Sequence, residues 1–209
     1  MEPQNDPAII SGQRPLILGS ASPRRREILR ELGIPVRILP PEVPEPVLPG
    51  DTPASFLQRV VEDKITAVLA ALTPGELYSC ALAADTIVLI DGEILGKPVD
   101  SAAAVRLLSK LVGRTHEVQT RYALSGPGLR PLRRTVCSQV TLRSATVEEI
   151  TRYAETGEGL DKAGAYAVQG MGTFLVESIQ GSYTNVVGLP ACELVRDLKD
   201  LGVLPRFPL

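Results

Sequence analysis

The stretch ALAADTIVLIDGEIL, residues 81–95, limits most sharply what this chain can fold into. Two apolar runs flank Asp91-Gly92, a dipeptide that accepts the positive φ values of a two-residue hairpin turn. The runs therefore predict an antiparallel pair. Elsewhere apolar runs alternate with helical patterns, as they do in crossover units. A hairpin set among such units argues against a purely doubly wound parallel sheet and predicts an α/β fold with a mixed sheet. The first run also breaks a local rule, because Asp85, followed by Thr86, interrupts it in mid-strand. A buried carboxylate is costly unless a cation or hydrogen-bond donors compensate it. Asp85 is thus either a structural aspartate held by backbone amides or a metal ligand or general base. If it is uncompensated in the free protein, Asp85→Asn should leave the fold intact or stabilise it.

The rest of the chain supplies helices and short strands. Leu16–Leu18 reads as a strand. Ser22 is a good N-cap and Pro23 suits a first helical position, while Ile28, Leu29 and Leu32 give the helix its apolar face and Gly33 ends it. A strand near Val36–Leu39 precedes the proline-rich loop PPEVPEPVLPGDTP, which carries Glu42 and Glu45. A helix is predicted from Thr52/Pro53 to about Leu72, and another over 101–111 with Gly113 beyond it. THEVQTRYAL and RTVCSQVTLRS alternate as two antiparallel strands, and TVEE, Thr146 to Glu149, is a capping box for a helix to about Glu155. GAYAVQGMGTFLVESIQGSYTNVVGLP reads as strands and glycine-rich turns, and Pro190 opens a final helix closed by Gly202. The expected organisation is one α/β domain over 14–203, with a loose leader over 1–13 and a tail over 204–209. A chain of 209 residues is long enough to bury such a core.

Charge and composition exclude several classes of function. With 44% hydrophobic and 22% charged residues and a net charge of −2, the chain has no global basic field to attract nucleic acid or an anionic membrane. No apolar run reaches membrane-spanning length, and MEPQNDPAII lacks the order of a signal peptide, so the cytoplasm is the expected location. Cys80, Cys137 and Cys192 are odd in number, far apart and in apolar surroundings, which predicts buried thiols rather than disulfides or a zinc site. His116 is the only histidine, which rules out a histidine-centred metal cluster. Any metal would be held by carboxylates, as magnesium or manganese is.

Two further places run against local logic. Arg24, Arg25 and Arg26 crowd the first helical turn after Leu16–Leu18, where exposed amides already carry partial positive charge; each costs roughly 0.3–1 kcal/mol if exposed. They are either a solvated face or, with the Gly-Ser-Ala-Ser turn, an anion site. On the second reading, truncating Arg24 or Arg25 should weaken ligand binding and leave the fold intact or slightly more stable. The turn lacks the ending of a P-loop, which argues against a Walker-type NTPase. Lys64 falls inside the apolar stripe of its helix, traced by Phe56, Val60, Val61, Ile65, Val68 and Leu72, so it must snorkel, pair or face a cleft. Lys97, after the hairpin, is a further cation if the two strands pair about Asp91-Gly92.

Together these stretches resemble the Maf family of nucleotide pyrophosphatases, from about Leu16 to Leu201. The family's opening turn corresponds to Ser20, Ser22, Pro23, Arg24 and Arg25, its glutamate to Glu45, its helix lysine to Lys64, and its Ala-Asp-Thr strand to Asp85 and Thr86. GKP contributes Lys97, GRTHEV contributes Arg114, Thr115 and His116, and the C-terminal signatures DKAGAYAVQG and GSYTNVVGLP include Gln169. The resemblance implies an elongated mixed β-sheet flanked by helices with a deep central cleft, similar to the inosine triphosphatase class. It implies a nucleoside triphosphate pyrophosphatase in which water attacks the α-phosphorus and Asp85 accepts the proton. Ser20, Ser22, Arg24, Arg25, Lys64, Thr86, Lys97 and Gln169 would bind substrate, and Glu45 and Asp85 would hold a divalent cation, Mg²⁺ or Mn²⁺. Arg24, Thr86 and Gln169 match the specificity positions of members that hydrolyse dTTP and UTP. A homodimer is compatible with the family; nucleic acid and membrane are not expected partners. The alternatives are a purine-cleaning enzyme of the inosine triphosphate class and a non-catalytic nucleotide-binding regulator of cell division.

Overall fold

In the computed structural model, which describes residues 8–209, strand β1 (Leu16–Gly19) has no exposed side chain. Helix α1 (Pro23–Glu31) follows, capped by Ser22, and strand β2 (Val36–Ile38) returns parallel to β1 with Leu16 opposite Val36. Helix α2 (Pro53–Ala70) opens with a capping box in which Thr52 and Ser55 exchange hydrogen bonds. Strand β3 (Ala81–Ile90) lies parallel to β1, with Ile17 opposite Ala81 and Gly19 opposite Ala83. The predicted turn follows, with φ of 51° at Asp91 and 79° at Gly92, and strand β4 (Glu93–Leu95) pairs antiparallel to β3.

Helix α3 (Ser101–Leu111), strands β5 (Thr115–Ser125) and β6 (Leu132–Leu142), helix α4 (Val147–Glu155), strand β7 (Val176–Gln180) and helices α5 (Tyr183–Val187) and α6 (Ala191–Asp200) complete the order. The seven-stranded sheet runs β2-β1-β3-β5-β6-β7, with β4 beside β3. Parallel β1–β2 and β1–β3 pairs together with antiparallel β3–β4 and β6–β7 pairs make it the mixed sheet the hairpin predicted.

The chain divides into two compact units. The first holds the described residues up to Asp85, Arg121–Thr135 and Gly188–Leu209. Its core sets Ile17 of β1 and Ala81 and Ala83 of β3 against Val61, Ile65 and Val68 of α2. Gly19 lets α2 come close, since a Cβ there would run into Val68 Cγ2 and meet the Leu82 carbonyl oxygen at 3.3 Å. Helix α6 is tied down by Asp197, which is buried and accepts from Tyr122 Oη at 2.5 Å and from Arg134 Nε at 2.7 Å. Residues 1–7 of the expected leader lie outside the described residues. From residue 8 onward, Ile10 is buried and its N–H donates to Val203 O at 2.8 Å, while Leu204 at the start of the expected tail is also buried.

The second unit holds Thr86–Thr120 and Val136–Val187. Its core packs Leu108 and Leu111 of α3 and Ile150 and Tyr153 of α4 with Val118, Val140 and Leu142 from the strands. The segment predicted as strands and turns from Gly164 onward contains one strand, β7, preceded by short 3-10 turns and followed by α5. Glycines with φ of 72° at Gly164 and 74° at Gly170 break extended backbone there. The expectation of three buried thiols is also corrected. Cys80 is buried, and burial pushes its thiol up to about 12, but Cys137 and Cys192 are exposed. Cys137 occupies the outward face of an alternating strand, and Cys192 lies off the buried face that α6 makes with Leu194 and Leu198. Among the described residues no helix is long and apolar enough to cross a membrane.

Candidate active site

The turn from β1 into α1 is built by its own side chains. Ser20 Oγ accepts from Ser22 N–H at 3.2 Å, and Ser22 Oγ caps the helix by accepting from Arg25 N–H at 3.5 Å. Arg25 is buried: its Nε donates to Gly188 O at 2.9 Å and its Nη1 to Ser20 Oγ at 3.0 Å. Burial draws the Arg25 guanidinium below its ordinary pKa, and Arg24 adds to this, while the carboxylates of Asp85 and Glu45 oppose it. Arg24 is half-buried and Arg26 exposed. The three arginines are therefore not equivalent. Arg25 lies three and four residues before Ile28 and Leu29, on the buried stripe of α1, and holds the turn and Gly188 together. These bonds argue against any gain in stability on truncating Arg25.

Lys64 pairs rather than snorkels. It is buried on α2, with Nζ 2.9 Å from Asp85 Oδ1 and 2.6 Å from Glu45 Oε1. Asp85 is half-buried in mid-β3, and its carboxylate is compensated by this ammonium. Asp85 is therefore not the unpaired charge on which a stabilising Asp85→Asn was expected. Glu45 reaches Lys64 from the proline-rich loop, which Arg59 anchors to α2 by donating to Pro46 O at 2.8 Å and Asp51 Oδ2 at 2.7 Å. Asp51 Oδ2 also accepts from Leu48 N–H at 2.8 Å. Sequence reasoning missed this clamp, whose only local trace is the Asp51-Thr52-Pro53 start of α2.

Of the predicted residues, the first unit brings Ser20, Ser22, Arg24, Arg25, Glu45, Lys64 and Asp85 into one charged group around the first turn of α1 and the middle of β3. Thr86, Lys97 and Gln169 belong to the second unit. Thr86 Oγ1 lies 2.9 Å from Thr120 Oγ1, and Thr120 donates to Asn185 O at 3.1 Å. Lys97 follows β4 and Gln169 precedes a 3-10 turn; both are exposed, and neither side chain pairs with another described residue. Glu158 fixes the backbone just after Gln169, accepting from Met171 N–H at 2.9 Å and Gly172 N–H at 2.8 Å. His116 is buried and bonded to Tyr166 Oη at 2.8 Å, and burial lowers its pKa to about 4. Neither of its ring nitrogens is hydrogen-bonded to a serine or an aspartate among the described residues.

A hard divalent cation can be tested against this geometry. Asp85 and Glu45 converge from a strand and a loop on one positive centre, the Lys64 ammonium. No group of three or more His, Cys, Asp or Glu side chains suited to a metal occurs among the described residues. Magnesium commonly takes only one or two protein carboxylates and completes its shell with water and substrate phosphate. The donor set fits that pattern and excludes a dedicated all-protein cage.

The profile of the Maf-like protein family matches residues 15–201. The chain belongs to the Maf family. The dTTP/UTP pyrophosphatase of Geobacter sulfurreducens is 48% identical over 192 residues, which covers 90% of this chain and 97% of that protein. The Neisseria gonorrhoeae protein of the same description is 43% identical over 193 residues, covering 91% of this Maf chain and 95% of its relative. Among solved structures, the Staphylococcus aureus Ham1 protein aligns over 62% of this chain and 72% of its own at 14% identity, with a TM-score of 0.39.

Proposed function

We propose that this Maf protein is a nucleoside triphosphate pyrophosphatase that hydrolyses dTTP and UTP to the nucleoside monophosphate and pyrophosphate. The observation that carries the reading is the buried Lys64 joined to Asp85 and Glu45 beside a serine- and arginine-lined helix start. The amides of α1 and the guanidinium groups of Arg24 and Arg25 supply donors and positive charge for a polyphosphate, with Ser20 and Gly188 orienting Arg25. Lys64 and Lys97 add point charges. Asp85 accepts the proton of the water that attacks the α-phosphorus, and the bond from phosphorus to the bridging oxygen breaks, releasing pyrophosphate. Lys64, 2.9 Å from Asp85 Oδ1, holds the carboxylate in place for this role. Asp85 and Glu45 would hold Mg²⁺ or Mn²⁺, which when bound supplies Lewis-acid polarisation of the α-phosphate. Arg24, Thr86 and Gln169 select the base. On this reading the enzyme works in the cytoplasm, where its substrates are made.

The test is a pyrophosphate-release panel over dTTP, UTP, CTP, ITP and 7-methyl-GTP, with Mg²⁺ and with excess chelator. The reading requires turnover of dTTP and UTP with metal and its loss in chelator. Tight binding without release would favour a regulator, and preference for ITP would favour the purine-cleaning class.

A further inference from the structure

Gln169 is exposed on a segment whose backbone is gripped on both sides. Glu158, in the turn after α4, is half-buried, and its two carboxylate oxygens accept from Met171 N–H at 2.9 Å and Gly172 N–H at 2.8 Å. Tyr153 Oη donates to Glu158 Oε2 at 2.8 Å and accepts from Ala167 N–H at 3.0 Å. One hydroxyl and one carboxylate thus hold the amides two residues before and two residues after Gln169. The glycines that follow Gln169 make room for this grip. A Cβ at Gly170 would run into Glu158 Oε1, and one at Gly172 into Tyr153 Oη and the Ala167 carbonyl oxygen.

The gripping groups are themselves held. Tyr153 is buried on α4, with its ring edge-on to Phe174 and the centroids 5.8 Å apart. Thr156 Oγ1 fixes the turn that carries Glu158, accepting from Glu158 N–H at 3.2 Å and donating to Tyr153 O at 2.7 Å. Ala167 and Val168 are buried, so the chain reaches Gln169 from the core and leaves it into the 3-10 turn Gly170–Leu175. Between these fixed points the Gln169 side chain is exposed and pairs with no other described residue.

We propose that Glu158 is a positioning residue for Gln169, holding the backbone so that the free amide meets the nucleotide base from one fixed point. The proposal rests on the reading above, in which Gln169 contacts the base. A glutamine on a loose segment has both backbone and side-chain freedom to lose on binding. With the backbone already gripped, only the side chain remains to be ordered, and less is lost when the base arrives. Tyr153 couples the two sides of the grip, because the hydrogen it gives to Glu158 leaves its lone pairs to Ala167. A neutral amide cannot replace the carboxylate. Glu158→Gln keeps the length but turns one acceptor into a donor, which faces a backbone N–H and leaves Met171 or Gly172 unpaired.

The experiment is a double-mutant cycle on KM and kcat for dTTP, with Glu158→Gln, Gln169→Ala and the double variant, and with Tyr153→Phe as a second way to loosen the grip. Gln169→Ala should raise KM by about threefold to tenfold, the worth of one neutral hydrogen bond. Glu158→Gln should raise KM over the same range and leave kcat within about twofold, because Glu158 touches none of the groups proposed to act at phosphorus. In the Gln169→Ala background the Glu158 substitution should change KM by less than about twofold, since nothing is left to position. Tyr153→Phe removes only the hydroxyl and should follow the same pattern. A KM effect that persists in full without Gln169, a fall in kcat in place of a rise in KM, or failure of both Glu158→Gln and Tyr153→Phe to fold would show a merely structural Glu158 and overturn the inference. So would a wild-type KM in Glu158→Gln. An unchanged KM in Gln169→Ala with normal pyrophosphate release would overturn it too, and would leave the pyrophosphatase reading standing. Absence of pyrophosphate release from every triphosphate would instead overturn that reading and the inference with it.

Discussion

Asp85→Asn tests the stability and the chemistry of the site in one variant. Asp85 accepts one charge-assisted hydrogen bond from Lys64 at 2.9 Å, and both side chains are largely buried, 13% and 10% exposed. A hydrogen bond to a charged group contributes about 1.5–3 kcal/mol. The asparagine oxygen can still accept from Nζ, at about half the strength of the charged bond. Lys64 is not orphaned, because Glu45 remains 2.6 Å away, so the roughly 3–5 kcal/mol penalty of an uncompensated buried charge does not apply. The expected loss is about 1 kcal/mol, which for a chain of this size lowers Tm by about 2–4 °C. The fold should stay intact, as the sequence suggested, but without the gain in stability expected of an unpaired carboxylate. Turnover should fall by about 10²–10⁴-fold, the range over which a positioned general base acts. Scanning calorimetry at pH 7 and pyrophosphate release from dTTP measure the two effects. A Tm equal to or above that of the wild type would mean that Lys64 does not support Asp85 in the free protein. Turnover within about tenfold of wild type would remove Asp85 from the chemistry.

Arg25→Ala should lose about 2–5 kcal/mol in urea denaturation, because it deletes the bonds to Gly188 and Ser20, whereas the exposed Arg26→Ala should stay within about 0.5 kcal/mol; equal midpoints would contradict this anchoring role of Arg25. His116 has a folded pKa of about 4 against an ordinary 6.5, so between these values the unfolded chain binds more protons. Stability should therefore rise with pH across that window, be complete above 6.5 and be lost as pH falls toward 4. The effect is worth about 3 kcal/mol, and the matching part of the slope should vanish in His116→Gln, which keeps a polar partner for Tyr166.

The elements that were legible in the sequence are those whose cause is local. Asp91-Gly92 dictates a hairpin through two positive φ values, and Ser22, Thr52 and Thr146 cap helices with side chains three residues from the amides they satisfy. The stretch after Gly164 was not legible in this way. Its backbone is held by Glu158 and by Tyr153, whose hydroxyl accepts from Ala167 N–H at 3.0 Å, and neither partner belongs to any pattern within the segment. The exposed thiols were missed because apolar sequence neighbours do not decide which way a side chain faces. Cys137 sits on the solvent side of β6 even with Val136 beside it, since successive strand residues face opposite ways.

The candidate site divides along the same line. Lys64 was visible because a lysine inside an apolar helical stripe violates the pattern, but its partner Glu45 came only from family resemblance, being placed by the Arg59–Asp51 clamp across a proline-rich loop. The arginine cluster shows how a local rule can be right in direction and wrong in total. Positive charge at a helix start costs roughly 0.3–1 kcal/mol, yet the bonds Arg25 makes to Gly188 and Ser20 each contribute about 1.5–3 kcal/mol, so the hydrogen bonds outweigh the repulsion and Arg25 is a net support of the fold. The structure singles out Arg25, which shares the buried stripe of α1 with Ile28 and Leu29. Its position beside the cap serves both roles. The guanidinium that anchors Gly188 also fixes positive charge beside the amides of α1, so on the proposed reading the end of the site that would meet the phosphates is already ordered in the free protein.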